Sequence, residues 1–392
     1  MTKLLDLHRA RAETPGCENV LHFNNAGSSL MPQAVLDSMV GYLRLEAMIG
    51  GYEAAGQTGS LETVYDRIAE LLNCHRDEVA LIENATRAWD MAFYGVRFRP
   101  GDRILTDQAA YASSYIAFLQ AQQRFGVEIT AVSNDPHGQI DINDLRRQLD
   151  NRVKLIAITH MPTNGGLVNP AAEVGKVARE AGVLYLLDAC QTAGQMPLDV
   201  AAIGCDMLSA TGRKFLRGPR GTGFLYVRQA ILDQLEPPFL DLHAAKWTAR
   251  DEYELLPNAR RFENWERNFA GIVGLETAVS YALNWGLDNI WQRVQNLGGQ
   301  LRQQLNAIPG VTTHDLGAVK GGIVTFTVDG VDATYIKEKL AAQKINVTTS
   351  SVFSTRLDME ARKLDMLVRA SVHYYNSQAE IDRFCQAIEA LV

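Results

Sequence analysis

The chain has 392 residues, 47% apolar and 21% charged, a composition that excludes a disordered chain and leaves room for two to three folded units. Its 38 Lys and Arg against 45 Asp and Glu give a net charge of −7, the wrong sign for a nucleic-acid binder, which needs a basic face against phosphate. No apolar run approaches the ~18 residues of a membrane helix, and the charged opening MTKLLDLHRARAETPG is not expected to be a secretory signal.

In chain order, short apolar runs predict strands at 79–82, 103–106, 128–132, 154–159, 183–187, 206–209 and 222–227. Between them, helical periodicity fits 86–97, 112–125, 141–150 and 170–181. Strands alternating with helix-length segments read as an α/β unit with a mainly parallel sheet, spanning 15–260. After about residue 260 the pattern changes. Residues 270–306 read as long helices, followed by strand 322–328, helix 331–342, strands 345–349 and 366–372, and helix 377–391. That is a smaller α+β unit over 270–392, with 1–14 expected to pack near it. No Gly- or Ser-rich linker separates the two, so a site between them is the natural expectation.

The chemistry-bearing residues gather in a few runs. Glu83-Asn84-Ala85-Thr86-Arg87 ends a strand and opens a helix, where backbone N–H groups and the Thr86 hydroxyl can meet an anion. Taken alone, the same run is ordinary helix capping. Asp188 ends the strand in VLYLLDACQ, and ligands of open parallel sheets bind at strand carboxyl ends. Lys214 follows the next strand. Arg213 beside it and Arg217 beyond would favour its neutral, nucleophilic amine, which can form a Schiff base with an aldehyde. The run Gly218-Pro219-Arg220-Gly221-Thr222-Gly223 precedes a strand rather than a helix, so no helix dipole faces an anion there. It reads as a turn that passes close to the lysine.

Asp188-Ala189-Cys190-Gln191, then Thr211-Gly212-Arg213-Lys214 and Gly218-Pro219, resembles the D-x-x-Q … S-G-H-K … G-P signature of class V aminotransferase-like enzymes. These include cysteine desulfurases, C–S lyases and isopenicillin N epimerase-like proteins, and the resemblance runs over nearly the whole chain. It implies fold type I, pyridoxal 5′-phosphate (PLP) as cofactor, a small amino-acid substrate and a homodimer. Lys214 resembles the lysine that holds PLP as a Schiff base and moves the Cα proton. Asp188 resembles the carboxylate under the pyridine nitrogen, and Gln191 the donor to the ring's phenolic oxygen. Ala85, Thr86 and Thr211 match phosphate ligands. Tyr111 stands where the family stacks a histidine on the cofactor, and Arg213 replaces the usual histidine before the lysine.

On the substrate side, Asn164 resembles an asparagine that contacts cofactor and carboxylate. Arg369, in Arg369-Ala370-Ser371 ahead of Tyr375-Asn376, resembles the arginine that grips the α-carboxylate. Asn25, Ala26 and Gly27 match a segment that lines the substrate pocket with backbone. Arg261–Glu266 resembles a segment that closes a neighbouring subunit's site, with Glu266 expected to point away from any phosphate. Desulfurases carry a persulfide-forming cysteine on a small-domain loop. The matching run, Thr349 to Asp358, has none, and Arg356 there is a candidate reader of the substrate side chain. The five cysteines, Cys17, Cys74, Cys190, Cys205 and Cys385, are scattered without a C-x-x-C. No disulfide framework or metal site is expected, and the cytoplasm is the expected compartment. The reading favoured is a PLP-dependent C–S or other β-eliminating lyase without a persulfide cysteine; the alternatives are an aminotransferase and, behind it, an epimerase.

Overall fold

A computed structural model describes residues 5–392. The first four residues of the 1–14 segment therefore lie outside the described residues. β1 (Leu21–His22) comes first. Then follow β2 (Val79–Ile82), β3 (Arg103–Thr106), β4 (Glu128–Ala131), β5 (Val153–Thr159), β6 (Leu184–Asp188), β7 (Met207–Thr211) and β8 (Gly223–Val227). These last seven form one sheet in the order β2-β8-β7-β6-β5-β3-β4. Only β8 runs against the others.

The strands read as continuous apolar runs because both faces of the sheet are covered. β5 sends Ile156 and Ile158 into one core and Leu155 and Ala157 into another, and β6 divides Tyr185 and Leu187 from Leu184 and Leu186 in the same way. Helices Ala85–Gly95, Ala112–Phe125, Ile142–Gln148 and Ala171–Ala181 fall where periodicity placed them. Helices Gln33–Ile49, Gly51–Gln57 and Ser60–Leu72, and the hairpin β9 (Ala245–Ala249) and β10 (Glu252–Leu255), did not emerge from the sequence.

Two helices, Phe269–Trp285 and Leu287–Ala307, lead to β11 (Val311–Thr313), β12 (Ile323–Val328), β13 (Ile345–Asn346), β14 (Thr348–Ser351) and β15 (Met366–Ser371). The second sheet has the order β11-β12-β15-β14 and is antiparallel throughout. The single strand expected at 345–349 is in fact two. β13 pairs in parallel with β1, and β14 pairs with β15. The N-terminal segment is thereby tied to the second sheet, and the bridge Asn24↔Ser371 extends the tie.

One expectation about the lysine turn is corrected. Arg217 does not face Lys214. Its N–H closes a turn on the Lys214 carbonyl at 2.9 Å with φ 62°, and its side chain leaves the site. It donates to Leu30 O (2.9 Å), Tyr374 Oη (2.6 Å) and Thr14 Oγ1 (2.5 Å), and stacks over Tyr374 and Tyr375. A guanidinium is held there because three acceptors and π faces replace its water. Gly194, at φ 92°, packs its backbone on the same turn, and a Cβ there would lie 2.4 Å from Leu216 N and from the Phe215 carbonyl carbon. Neither backbone can yield cheaply. Gly194→Ala should therefore lower stability by roughly 2 kcal/mol or more. The check is the urea midpoint of unfolding; an unshifted midpoint would contradict the close approach.

Candidate active site

The carboxyl end of β6 meets the N-terminal turn of helix Ala85–Gly95. Asn84 caps that helix, its Oδ1 accepting the Arg87 N–H at 3.0 Å and its carbonyl the Ala88 N–H. A small cavity of about 30 Å³ opens there, lined by Ala85, Thr86, Tyr111, Asp188 and Cys190 among the residues singled out from sequence. Trp89, Asp90, Ser113 and Ser114 line it too and were missed. Helical spacing is the signal that finds the first two, since one turn separates Thr86 from Asp90. The two serines lie in the first turn of the helix that Tyr111 precedes.

Asp188 is buried at the end of β6 and accepts the Cys190 N–H at 2.8 Å. Burial raises its pKa; that hydrogen bond and the nearby Lys214 charge pull it back. Lys214 lies below the usual lysine range. Burial is the main cause, Arg213 and Arg369 push further down, and Cys190 and Asp188 oppose them. Its amine is therefore closer to neutral than a surface lysine's. Arg369 is 7% exposed, and burial pushes it down to about 10, with Tyr111 steadying the charge and Arg213 opposing it. Its Nη1 donates to the Thr163 carbonyl (3.2 Å) and hydroxyl, and its Nε has no partner. Thr163, directly before Asn164, was not singled out from sequence.

Gln191 is buried between the substrate-side elements. Its Nε2 donates to Ala26 O at 3.2 Å and lies 3.5 Å from Thr163 Oγ1, leaving Oε1 unpartnered. Ser209, the in-register neighbour of Asp188 on β7, also has a buried hydroxyl without a partner. Asp107, at the end of β3, is pushed up to about 7 by burial, with the Asp188 charge adding to it. It accepts from Thr159 N (2.8 Å) and Asn169 Nδ2 (3.2 Å).

Several assignments change. The Asn164 amide donates to Asp358 Oδ2 at 2.7 Å, so one of its two N–H groups is committed inside the fold. Asn25 is a clasp: Nδ2 donates to Ser371 O at 2.7 Å, and Oδ1 accepts from Tyr375 Oη. The Ala26 N–H donates to Ser371 Oγ (2.9 Å), and the Gly27 N–H to Asn24 O (3.0 Å). That segment shapes a wall; its backbone polar groups already have partners. The Thr211 hydroxyl donates to Thr222 O at 3.2 Å, and Thr211 is not among the cavity-lining residues. Arg213 turns from the Thr86 end and donates to Gly27 O. Arg356 pairs with Glu360 at 2.6 Å, both side chains more than half exposed. Of the five cysteines, all free, only Cys190 lines the cavity. Among the described residues no helix is long and apolar enough to cross a membrane, and no cluster could hold a metal.

A mixed α/β sheet with an acid and a lysine at adjoining strand ends, facing a helix N-terminus, defines a class V PLP-dependent fold. The family model described as aminotransferase class-V matches residues 21–384, and the chain belongs to that family. A probable cysteine desulfurase of Xylella fastidiosa is 30% identical over 400 residues, covering 98% of this chain and 95% of the relative. The apo structure of cysteine desulfurase from Thermococcus onnurineus NA1 aligns with TM-score 0.91 at 25% identity, covering 100% of this chain and 99% of that one. A structure of the cystine C–S lyase C-DES with its reaction product cysteine persulfide aligns with TM-score 0.86 at 25% identity, covering 96% of this chain and 99% of that one.

Behind the site, His160 is buried with Nδ1 at 3.1 Å from Thr192 Oγ1, and burial lowers its pKa from 6.5 to about 4. His373 is also held well below its ordinary value, chiefly by burial. Both are depressed, so the unfolded chain binds more protons. Their contribution to stability is complete above about pH 6.5 and falls with acid, the His160 part being lost as pH falls through about 4. The His160 share is of order 3 kcal/mol. Unfolding free energies between pH 7.5 and 4.5 should fall with acid, and less steeply in His160→Asn; an equal slope would rule out the histidine as the cause.

Proposed function

We propose that the protein is a PLP-dependent enzyme acting on an α-amino acid, a C–S or other β-eliminating lyase that forms no persulfide on its own chain. The observation that carries the reading is Arg369, a buried guanidinium with a free Nε and no carboxylate partner, acting on the same amine as Asp188. A buried cation left open in this way suits a ligand carboxylate.

The residues present fit the cofactor. Lys214 offers an amine of lowered pKa, Asp188 a carboxylate for the pyridine nitrogen, and Tyr111 a ring for stacking. The N–H groups of Ala85 and Thr86, with the Thr86 hydroxyl, suit a phosphate at a helix start. When bound, PLP supplies an electron sink that makes the substrate Cα–H acidic. The chain's own groups do the rest. Arg369 fixes the carboxylate and so aims Cα–H toward Lys214. Lys214 Nζ accepts that proton, its neutral form favoured by burial and by the two arginines. Departure of the Cβ substituent and hydrolysis then give a small thiol or persulfide, pyruvate and ammonia.

Sulfur leaving on a small molecule is supported by the absence of cysteine from 345–365 and by the product named for C-DES. Further support comes from the loop itself. The Ala112 N–H donates to Ser354 O at 2.9 Å, and Asp358 is held by Asn164 and by Arg362 at 3.1 Å, so the loop is a fixed wall.

Turnover of cystine, cysteine and alanine, followed by cofactor absorbance and by assays for pyruvate and keto acid, tests the reading. Lys214→Ala should abolish the lysine-bound absorbance and proton transfer. Arg369→Ala should keep the cofactor yet lose about 30-fold or more in kcat/KM. Cys190→Ala and Cys385→Ala should both still release sulfur. Loss of sulfur release in either, with cofactor retained, would return the assignment to a desulfurase.

We further propose a homodimer. Leu43, Met48, Tyr52 and Trp265 are 52%, 81%, 75% and 46% exposed, more apolar surface than a free helix pair and loop usually show. Light scattering at micromolar concentration should give twice the chain mass; a fully active monomer would refute it.

A further inference from the structure

A further cavity, of about 540 Å³, lies at the opposite end of the main sheet from the site above. Leu184 opens β6 in its wall, whereas Asp188 closes the same strand in the first cavity, about 13 Å away at ~3.3 Å per residue. No residue lines both cavities. The volume falls within the roughly 300–1,000 Å³ of pockets that hold small molecules, and the reaction proposed above makes no use of it.

The floor is apolar except at one point. Leu184, Val200 and Ile231 are buried there, and Tyr226 of β8 is 3% exposed. The Tyr226 hydroxyl has no hydrogen-bond partner among the described residues. The charged and thiol groups around it, Glu78, Cys205, Cys74 and Arg228, all line the same cavity, and burial followed by the Glu78 charge raises its pKa. It keeps its proton and is free to donate it to an acceptor in the cavity.

The charged lining is Arg179 and Arg228 against Glu78 and Asp206, but only one of the four is unmatched. Glu78 accepts the Gln229 N–H at 2.8 Å and the His75 N–H at 3.1 Å. Asp206 accepts the Tyr185 N–H at 2.9 Å and Arg228 Nε at 2.8 Å. Arg179, in the last turn of helix Ala171–Ala181, has no acid in salt-bridge range among the described residues, and its neighbour Glu180 is taken by Arg146 at 2.6 Å. Arg179 Nη2 lies over Gly204, where a Cβ would come within 2.5 Å of it, and Gly204 holds φ 74°. The missing side chain is what leaves the guanidinium its place at the cavity.

We propose that this cavity binds a small carboxylate with an apolar body and a hydrogen-bond acceptor at its far end. Arg179 takes the carboxylate, Leu184, Val200 and Ile231 the body, and the Tyr226 hydroxyl the acceptor. The proposal does not depend on the lyase reading. The competing role for Arg179 is to complement the carboxyl end of its own helix, a role that makes no distinction between charged and neutral ligands.

The test titrates the PLP-loaded full chain with 6-hydroxy-2-naphthoate and with its neutral analogue 6-hydroxy-2-naphthamide, reading Kd from probe fluorescence. The naphthoate should bind saturably and about tenfold or more tighter than the amide. Arg179→Gln should cost the naphthoate about tenfold and the amide far less, and Tyr226→Phe should cost both about fivefold. Ala201→Trp, at an exposed lining position, should block both probes while the urea midpoint shows the chain still folded. Arg369→Ala should leave the naphthoate Kd unchanged. No saturable binding, equal affinity for the two probes, or a naphthoate Kd indifferent to Arg179→Gln and Ala201→Trp would overturn the proposal. So would binding that shifts the cofactor absorbance or is lost in Arg369→Ala, because the probe would then occupy the catalytic cavity.

Discussion

A cation buried without a counter-ion is the constraint around which this site is arranged. Removing a guanidinium from water costs several kcal/mol unless a partner compensates, and burial alone brings Arg369 down to about 10. Two features prevent its escape to solvent. β15 is an inner strand, with Arg369 in register with Thr325 on one side and Thr348 on the other. Thr163, at the loop after β5, receives Nη1 and fixes the planar group. The fold thus preserves an unsatisfied charge instead of neutralising it, and the open Nε shows where a ligand would relieve it.

Arg217, three residues after Lys214, shows the opposite solution. It is 1% exposed, yet Leu30, Tyr374 and Thr14 take its donors and three tyrosines lie within 5.7 Å of its carbon centre. It is fully satisfied and leaves nothing for a ligand. Its contacts join the N-terminal segment, the 24–30 wall and the turn after β15 to the turn that carries Lys214. Arg217 organises the lysine's surroundings, while burial above all, with Arg213 and Arg369 behind it, favours the neutral amine.

Much of this was legible because burial on both faces leaves a plain mark. Apart from half-exposed β4 at the sheet edge, the strands of the seven-stranded sheet are mostly buried apolar runs, and the helices between them bury a clear stripe. Helix Gln33–Ile49 was not legible for the same reason inverted: only Val35 and Tyr42 are buried, while Leu36, Leu43 and Met48 face outward. In the site, Asp188, Thr86 and Tyr111 line one cavity because each is placed at a strand or helix end, while Lys214 follows β7 and Arg369 sits within β15. Asn164, Asn25 and Arg217 take partners that the sequence does not reveal because those partners are far away along the chain. Asn164 meets Asp358 across 194 positions, and Asn25 meets Ser371 across 346. Residue type and spacing reveal which groups could bind a ligand, but not which the fold itself consumes.

That distinction bears most on the loop after β14. A side chain that carries sulfur away from a cofactor must move between two places, which requires a segment with few native contacts. Here the segment is held at three points. Ser354 O accepts the Ala112 N–H, directly beside Tyr111; the Val352 N–H donates to Asp365 O at 3.1 Å; and buried Asp358 takes Asn164 and Arg362. Asn164 adjoins Thr163, which receives Arg369 Nη1, so the contact that holds Asp358 lies one residue from the contact that holds the arginine.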